Sequence, residues 1–215
     1  MERSSGWFNR LYGSFLRLAS ATDWLGPLAL RLFLAPIFIL AGINKLGHIG
    51  DVAAWFGNPD WGLGLPAPQL LAWMAALTEL LGGVALLLGL GVRLATVPLM
   101  FVMVVAAATA HWQYGWHALP EQTLTMPWEW REDLIAEAVA RKDKAVELLK
   151  AHGNYSWLTE AGSFTVLKNG IEFAATYFVM LLALLGTGGG RYASLDYWIC
   201  RRSHGRGQPP QDANR

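Results

Sequence analysis

Residues 25–46 read LGPLALRLFLAPIFILAGINKL, twenty-two positions with two charges, Arg31 and Lys45. A helix needs about 20 mostly apolar residues to cross a bilayer core of about 30 Å, and this stretch has the length. Working outward, similar runs cover residues 70–90 and 94–110. A fourth runs from about residue 171 to 185 and reaches spanning length only if residues 164–168 join its helix, which places the span at about 168–186. Four such runs in 215 residues leave too little polar chain to enclose them in a soluble core.

The composition agrees. Hydrophobic residues make up 53% and charged residues 15%, where a soluble domain carries about 25% charged residues. The formal net charge of +1 excludes a nucleic-acid binder of the basic type. The lone cysteine, Cys200, excludes an intramolecular disulfide and any mechanism through paired thiols.

Residues 1–24 are expected to form an amphipathic interfacial helix rather than a cleavable signal. Arg3, Arg10 and Arg17 recur every seven residues on one face, and Phe8, Leu11, Tyr12, Phe15 and Leu18 gather opposite. The arginines also set an orientation. The N-terminal tail, the loop at Arg93 and the tail carrying Arg191, Arg201, Arg202, Arg206 and Arg215 are basic, whereas residues 47–68 hold Asp51 and Asp60 with no Lys or Arg. With four spans the positive-inside rule places both termini in the cytoplasm of a bacterial inner membrane. The loop 47–68 and an insertion at 111–167 then face the periplasm.

Tryptophan follows the same division, with Trp24 and Trp198 near the inner interface and Trp55, Trp61, Trp112, Trp116, Trp128, Trp130 and Trp157 on the outer side. Within the insertion, residues 128–152 carry Leu134, Ile135, Val139, Val146 and Leu149 at helical spacing, with Pro127 suited to the start and Gly153-Asn154 to the stop. Residues 54–66, AWFGNPDWGLGLP, are dense in turn formers. Residues 199–215 are expected to form a disordered cytoplasmic tail. The fold class is therefore all-α: an integral membrane four-helix bundle over residues 25–198, with a periplasmic helical insertion between spans three and four.

Polar residues within the spans carry the functional reading. Glu79 lies mid-span, where a charge costs about 2.5–3.5 kcal/mol on insertion scales. Its helical neighbours Ala75, Ala76, Gly82 and Gly83 make a small face suited to close packing, so Glu79 points into the bundle. It suits a proton relay, a hydrogen-bond donor to a bound carbonyl, or an interhelical bond that holds the bundle. Asn44 and Lys45, His111, and Lys168, Asn169 and Glu172 fall at one membrane level on three other helices, and together with Glu79 they outline a polar pocket. Against that pocket stand an i,i+4 pair of Lys168 with Glu172 and a snorkelling Lys45. Arg31, one to two turns inside its span, is expected to snorkel to the interface.

Other chemistries lack their motifs. There is no Cys-x-x-Cys-His for haem, and His48, His111 and His117 match no strong metal spacing, so no metal site is expected. No flavin, nucleotide or iron–sulfur motif is visible. TGGG at 187–190 reads as a helix stop.

RLFLAPIFILAGINKL (31–46) and ELLGGVALLLGLGVRLA (79–95) resemble the DoxX family of four-helix membrane proteins, through Arg31, Gly42, Lys45, Glu79, Gly82, Gly83, Gly89 and Arg93. AWFGNPDWGLGLP (54–66), HWQYGW (111–116) and NGIEFAATY (169–177) resemble its HvfX-like branch. The family takes its name from a small subunit of a thiosulfate:quinone oxidoreductase, and the branch is associated with maturation of small modified metal-binding peptides. The resemblance leaves two function classes open, and with them whether the protein is an enzyme. One is a redox subunit that binds a quinone and works with a protein partner. There Glu79, Glu172 and His111 would serve catalysis. Lys45, Asn44 and Asn169 would bind the quinone, with Trp112 and Tyr177 packed on its ring. The other is a non-redox membrane anchor, assembly factor or exporter for a periplasmic or modified peptide partner. Both act in contact with the lipid bilayer, and neither involves nucleic acid.

Overall fold

The computed structural model describes residues 5–119 and 123–204. Every regular element among them is helical. In chain order these are α1 (Ser5–Ala21), α2 (Leu25–Gly47), α3 (Ile49–Gly57), α4 (Pro68–Leu88) and α5 (Val92–Val105). A π turn (Ala106–His111) and a 3-10 turn (Trp112–Tyr114) continue α5. Then come α6 (Asp133–His152), α7 (Tyr155–Leu158), α8 (Glu172–Thr187) and α9 (Leu195–His204).

Among the described residues, three helical runs have the length and apolarity to cross a membrane: Leu25–Gly47, Pro68–Leu88 and Val92–Tyr114. They match the three expected spans at 25–46, 70–90 and 94–110, the third extended by the π and 3-10 turns. The second starts on Pro68, whose missing N–H costs nothing in a first turn, and stops at Gly89 with φ 66°.

The fourth expected span is corrected. α8 is apolar but has 16 residues, about 24 Å at the α-helical rise against the roughly 30 Å bilayer core. Residues 164–168 do not join it. The N–H groups of Lys168, Asn169, Gly170, Ile171 and Glu172 are spent on carbonyls of Gly115, Trp116, His117 and Ala118, and Asn169 holds φ 66°. A helix starting at 164 cannot run on through Lys168–Ile171, because the N–H groups it would need for its own i→i−4 bonds are committed elsewhere. The start of the fourth apolar helix thus moves from 168 to Glu172, and the described residues hold three span-length helices plus this shorter one.

Three further boundaries move. The amphipathic helix expected over 128–152 begins at Asp133. Pro127 and Trp128 form a turn instead, and the Glu129 N–H bonds to the Met126 carbonyl. The loop 47–68 contains helix α3, followed by a turn in which Asn58 Oδ1 accepts the N–H groups of Asp60 and Trp61. The disordered tail does not begin at 199, because α9 runs to His204; residues 205–215 lie outside the described residues. Helix α1 forms as expected, with Phe8, Leu11, Tyr12, Phe15 and Leu18 all exposed. Arg3 lies outside the described residues.

The chain divides into two compact units. One comprises Met1–Met100 with Met180–Arg215, the other Phe101–Val179. In the first, α4 packs against α2 and α3. Small residues allow the α2–α4 approach. A Cβ on Gly42 would lie 2.6 Å from the Leu80 nitrogen, and one on Gly83 would lie 2.8 Å from the Ile39 nitrogen. Leu34, Ala35 and Phe38 of α2 and Ala72, Ala76 and Leu86 of α4 are buried in this unit.

Candidate functional site

Glu79 and Lys45 meet in the first unit. Lys45 Nζ donates to Glu79 Oε2 at 2.6 Å, joining α2 to α4. The glutamate side chain is 5% exposed and the lysine side chain 26%. Glu79 sits on the buried face with Ala72, Ala76, Gly82 and Gly83, so the small face read from the sequence does turn inward. Its ion partner is Lys45, which is therefore not a snorkelling residue. Only one carboxylate oxygen is used. Glu79 Oε1 has no hydrogen-bond partner among the described residues. Lys45 likewise spends one of its three N–H donors on Glu79. Asn44 is exposed at the same end of α2, and its backbone carbonyl accepts the His48 N–H.

Arg31 departs most from its sequence reading. It is 1% exposed and does not snorkel. Its Nε donates to the Leu86 carbonyl at 2.7 Å and Nη2 to that of Leu87 at 3.0 Å, both in the last turn of α4. Nη1 donates to the carbonyls of Gly189 at 2.7 Å and Ala193 at 3.1 Å. Last-turn carbonyls have no partner within their own helix, and a cation there also suits the helix dipole. Asp196 does the converse for α5, where its carboxylate accepts the N–H groups of Gly91 at 2.7 Å and Val92 at 3.1 Å. Ser194 Oγ donates to the Gly89 carbonyl. One polar hub thus closes the α4–α5 turn and ties it to the segment after α8. Residues 187–190 do act as a helix stop, with Gly188 at φ 75° and Gly190 at φ 79°.

The second unit has its own buried ion pair, which the sequence reading missed. Lys168 Nζ donates to Glu129 Oε2 at 2.6 Å, with side chains 3% and 0% exposed. The Glu129 carboxylate also accepts the N–H of Trp116 at 3.2 Å and of Arg131 at 2.9 Å. Burial alone would push this carboxyl up. The Lys168 ammonium and the two backbone donors reverse that and hold it below the usual glutamate range. Lys168 does not pair with Glu172, since the two do not share a helix. Glu172 Oε2 instead accepts the Ala118 N–H at 3.0 Å, and His111 Nδ1 lies 2.9 Å from the Asn169 carbonyl. A signal for Glu129 was present in the sequence. It is a carboxylate set between Trp128 and Trp130, but within a helix read over 128–152 nothing set it apart from the other charged residues.

The remaining expected residues have local settings. Trp112 stacks on Trp130 with centroids 4.6 Å apart, and Tyr177 lies stacked with Phe173 at 6.4 Å. Asn169 lines a cleft of about 370 Å³ with Gln113, Arg131 and Arg141. The arginines there are paired with Asp133 and Glu137. The Arg131 fork holds the Asp133 carboxyl below its ordinary range. No cluster of three or more His, Cys, Asp or Glu able to hold a metal occurs among the described residues.

Apolar helices of spanning length, a carboxylate–lysine pair between two of them and an arginine buried on helix-end carbonyls define a multi-pass helical membrane protein. The DoxX family model matches residues 26–112, from the first turn of α2 to Trp112. No curated protein and no solved structure matches the chain.

Proposed function

We propose that the protein is a quinone-interacting subunit or partner of a membrane redox or peptide-maturation system, seated in a bacterial inner membrane with both termini in the cytoplasm. The observation that carries the reading is the half-used pair: Glu79 Oε1 is buried without a donor among the described residues, and Lys45 is partly open with N–H groups to spare. A buried polar atom left unpaired is costly. A quinol hydroxyl is a donor that suits Glu79 Oε1, and a quinone carbonyl is an acceptor that suits Lys45 Nζ. A bound quinone would supply two-electron, two-proton chemistry. Lys45 and Glu79 would orient it by these hydrogen bonds and hold a proton at Glu79. A role for Asn44, exposed at the same end of α2, belongs to this proposal too.

The HvfX-like assignment rests on the motifs at 54–66, 111–116 and 169–177, and the pairing of the last two supports it. Gly115 and Trp116 accept the N–H groups of Ile171 and Glu172.

The test is extraction of the full-length protein from bacterial membranes in mild detergent, followed by quantification of co-purified quinone. Wild type is expected to retain it near one per chain. Glu79→Gln and Lys45→Met lose a charge-assisted hydrogen bond of about 1.5–3 kcal/mol, so retention should fall at least tenfold while the gel-filtration profile is kept. No quinone in wild type, or equal retention in both variants, would refute the redox reading in favour of a non-redox anchor, assembly factor or exporter.

A further inference from the structure

We propose that the cleft beside the first turns of α2 and α5 binds the phosphate of an anionic membrane phospholipid. The cleft has a volume of about 1240 Å³ and lies wholly within the first unit. It sits where apolar helices end: Trp24 and Pro27 at the start of α2, Leu94 in the first turn of α5, and Thr187 at the end of α8. That is the depth at which a headgroup meets a helix bundle.

Three arginines converge on it. Arg93, Arg191 and Arg201 all line the cleft and all are exposed, and none has a carboxylate partner within 4.0 Å among the described residues. Arg93 donates once to the Gly186 carbonyl, and Arg201 lies against Trp198 and the Tyr197 hydroxyl. The Arg191 side chain makes no hydrogen bond to any described residue. Two acids complete the lining. Asp196 is engaged by the Gly91 and Val92 N–H groups, and Asp23 stands at the cleft edge. Three positive charges against two negative leave one positive, which a phosphodiester neutralises. Arginine suits phosphate because its planar fork matches the oxygens two at a time. Leu94 is 80% exposed beside these arginines, and Trp24 borders them. The site therefore joins an apolar wall for acyl chains to a cationic head, which commits it to a lipid rather than a soluble phosphate.

Native mass spectrometry of the full chain in detergent, titrated with phosphatidylglycerol and with phosphatidylcholine, tests this. Wild type is expected to hold phosphatidylglycerol at least tenfold more tightly. Arg191→Gln/Arg201→Gln should abolish that preference, about tenfold per arginine lost, and Arg93→Gln should reduce it alone. Arg141→Gln, which removes an arginine already paired with Glu137, should leave it intact. Because the Arg191 side chain bonds to no described residue, Arg191→Gln by itself keeps the test valid if the double variant misfolds. Equal binding of the two lipids, or undiminished preference in Arg191→Gln and the double variant, overturns the proposal. Displacement of phosphatidylglycerol by an equal concentration of glycerol phosphate would assign the site to a soluble phosphate and overturn the lipid.

Discussion

Replacing Glu129 by Gln removes the anion from the most deeply buried ion pair described, Glu129 with Lys168 at 2.6 Å. Glutamine keeps an oxygen for the Trp116 and Arg131 N–H groups, so the main loss is the charge opposite Lys168. An ammonium whose side chain is 3% exposed is then stranded, and breaking a buried pair from one side costs about 3–5 kcal/mol. At about 1.4 kcal/mol per tenfold, opening of this region becomes a hundred- to several-thousand-fold more frequent. The region is specific, because the N–H groups of residues 168–172 are bound to carbonyls of residues 115–118. Hydrogen exchange of the purified protein should therefore show faster amides at 116 and 168–172, with the α2–α4 amides unchanged. Adding Lys168→Met to the Gln variant removes the stranded charge and should restore much of the protection. The pH dependence has a fixed sign. The folded Glu129 carboxyl is held below its ordinary value, so its contribution is fully present above the unfolded value of about 4.3. It is lost as pH falls through the lower, folded value. Less than a tenfold change in exchange at 168–172, or no recovery in the double variant, would show that the pair does not hold these segments.

Arg31→Lys keeps the charge but cannot reach four carbonyls on two chain segments. Its thermal unfolding in detergent should shift down by an amount comparable to Arg31→Met, about 3 kcal/mol or more. Gly170→Ala places a Cβ 2.5 Å from the His117 carbonyl and 2.6 Å from that of Gly115. Since both neighbours are backbone, a cost of about 1–3 kcal/mol is expected, read as faster exchange at the same amides.

Much of the architecture follows from local properties. Apolarity is a sum over neighbouring residues, so three spans could be placed within a few residues, and Gly89 marks its helix end by a conformation intrinsic to glycine. The small face of α4 was likewise legible, because helical spacing alone puts Ala76, Gly82 and Gly83 beside Glu79. The fourth span was misjudged for a non-local reason. Residues 164–168 are apolar enough for a helix, but the backbone just after them bonds to a segment some fifty residues earlier.

The sequence by itself determined that this is a multi-pass helical membrane protein, that its first half carries a DoxX signature and that Glu79 turns inward. Only the tertiary structure decided what each buried charge meets. Glu79 meets Lys45, thirty-four residues away, Glu129 meets Lys168, thirty-nine away, and Arg31 meets carbonyls more than fifty away. The physical reason is that burying a charge is costly wherever it stands, which a sequence displays, whereas the compensating partner is set by which helix ends and loops the fold brings within about 3 Å.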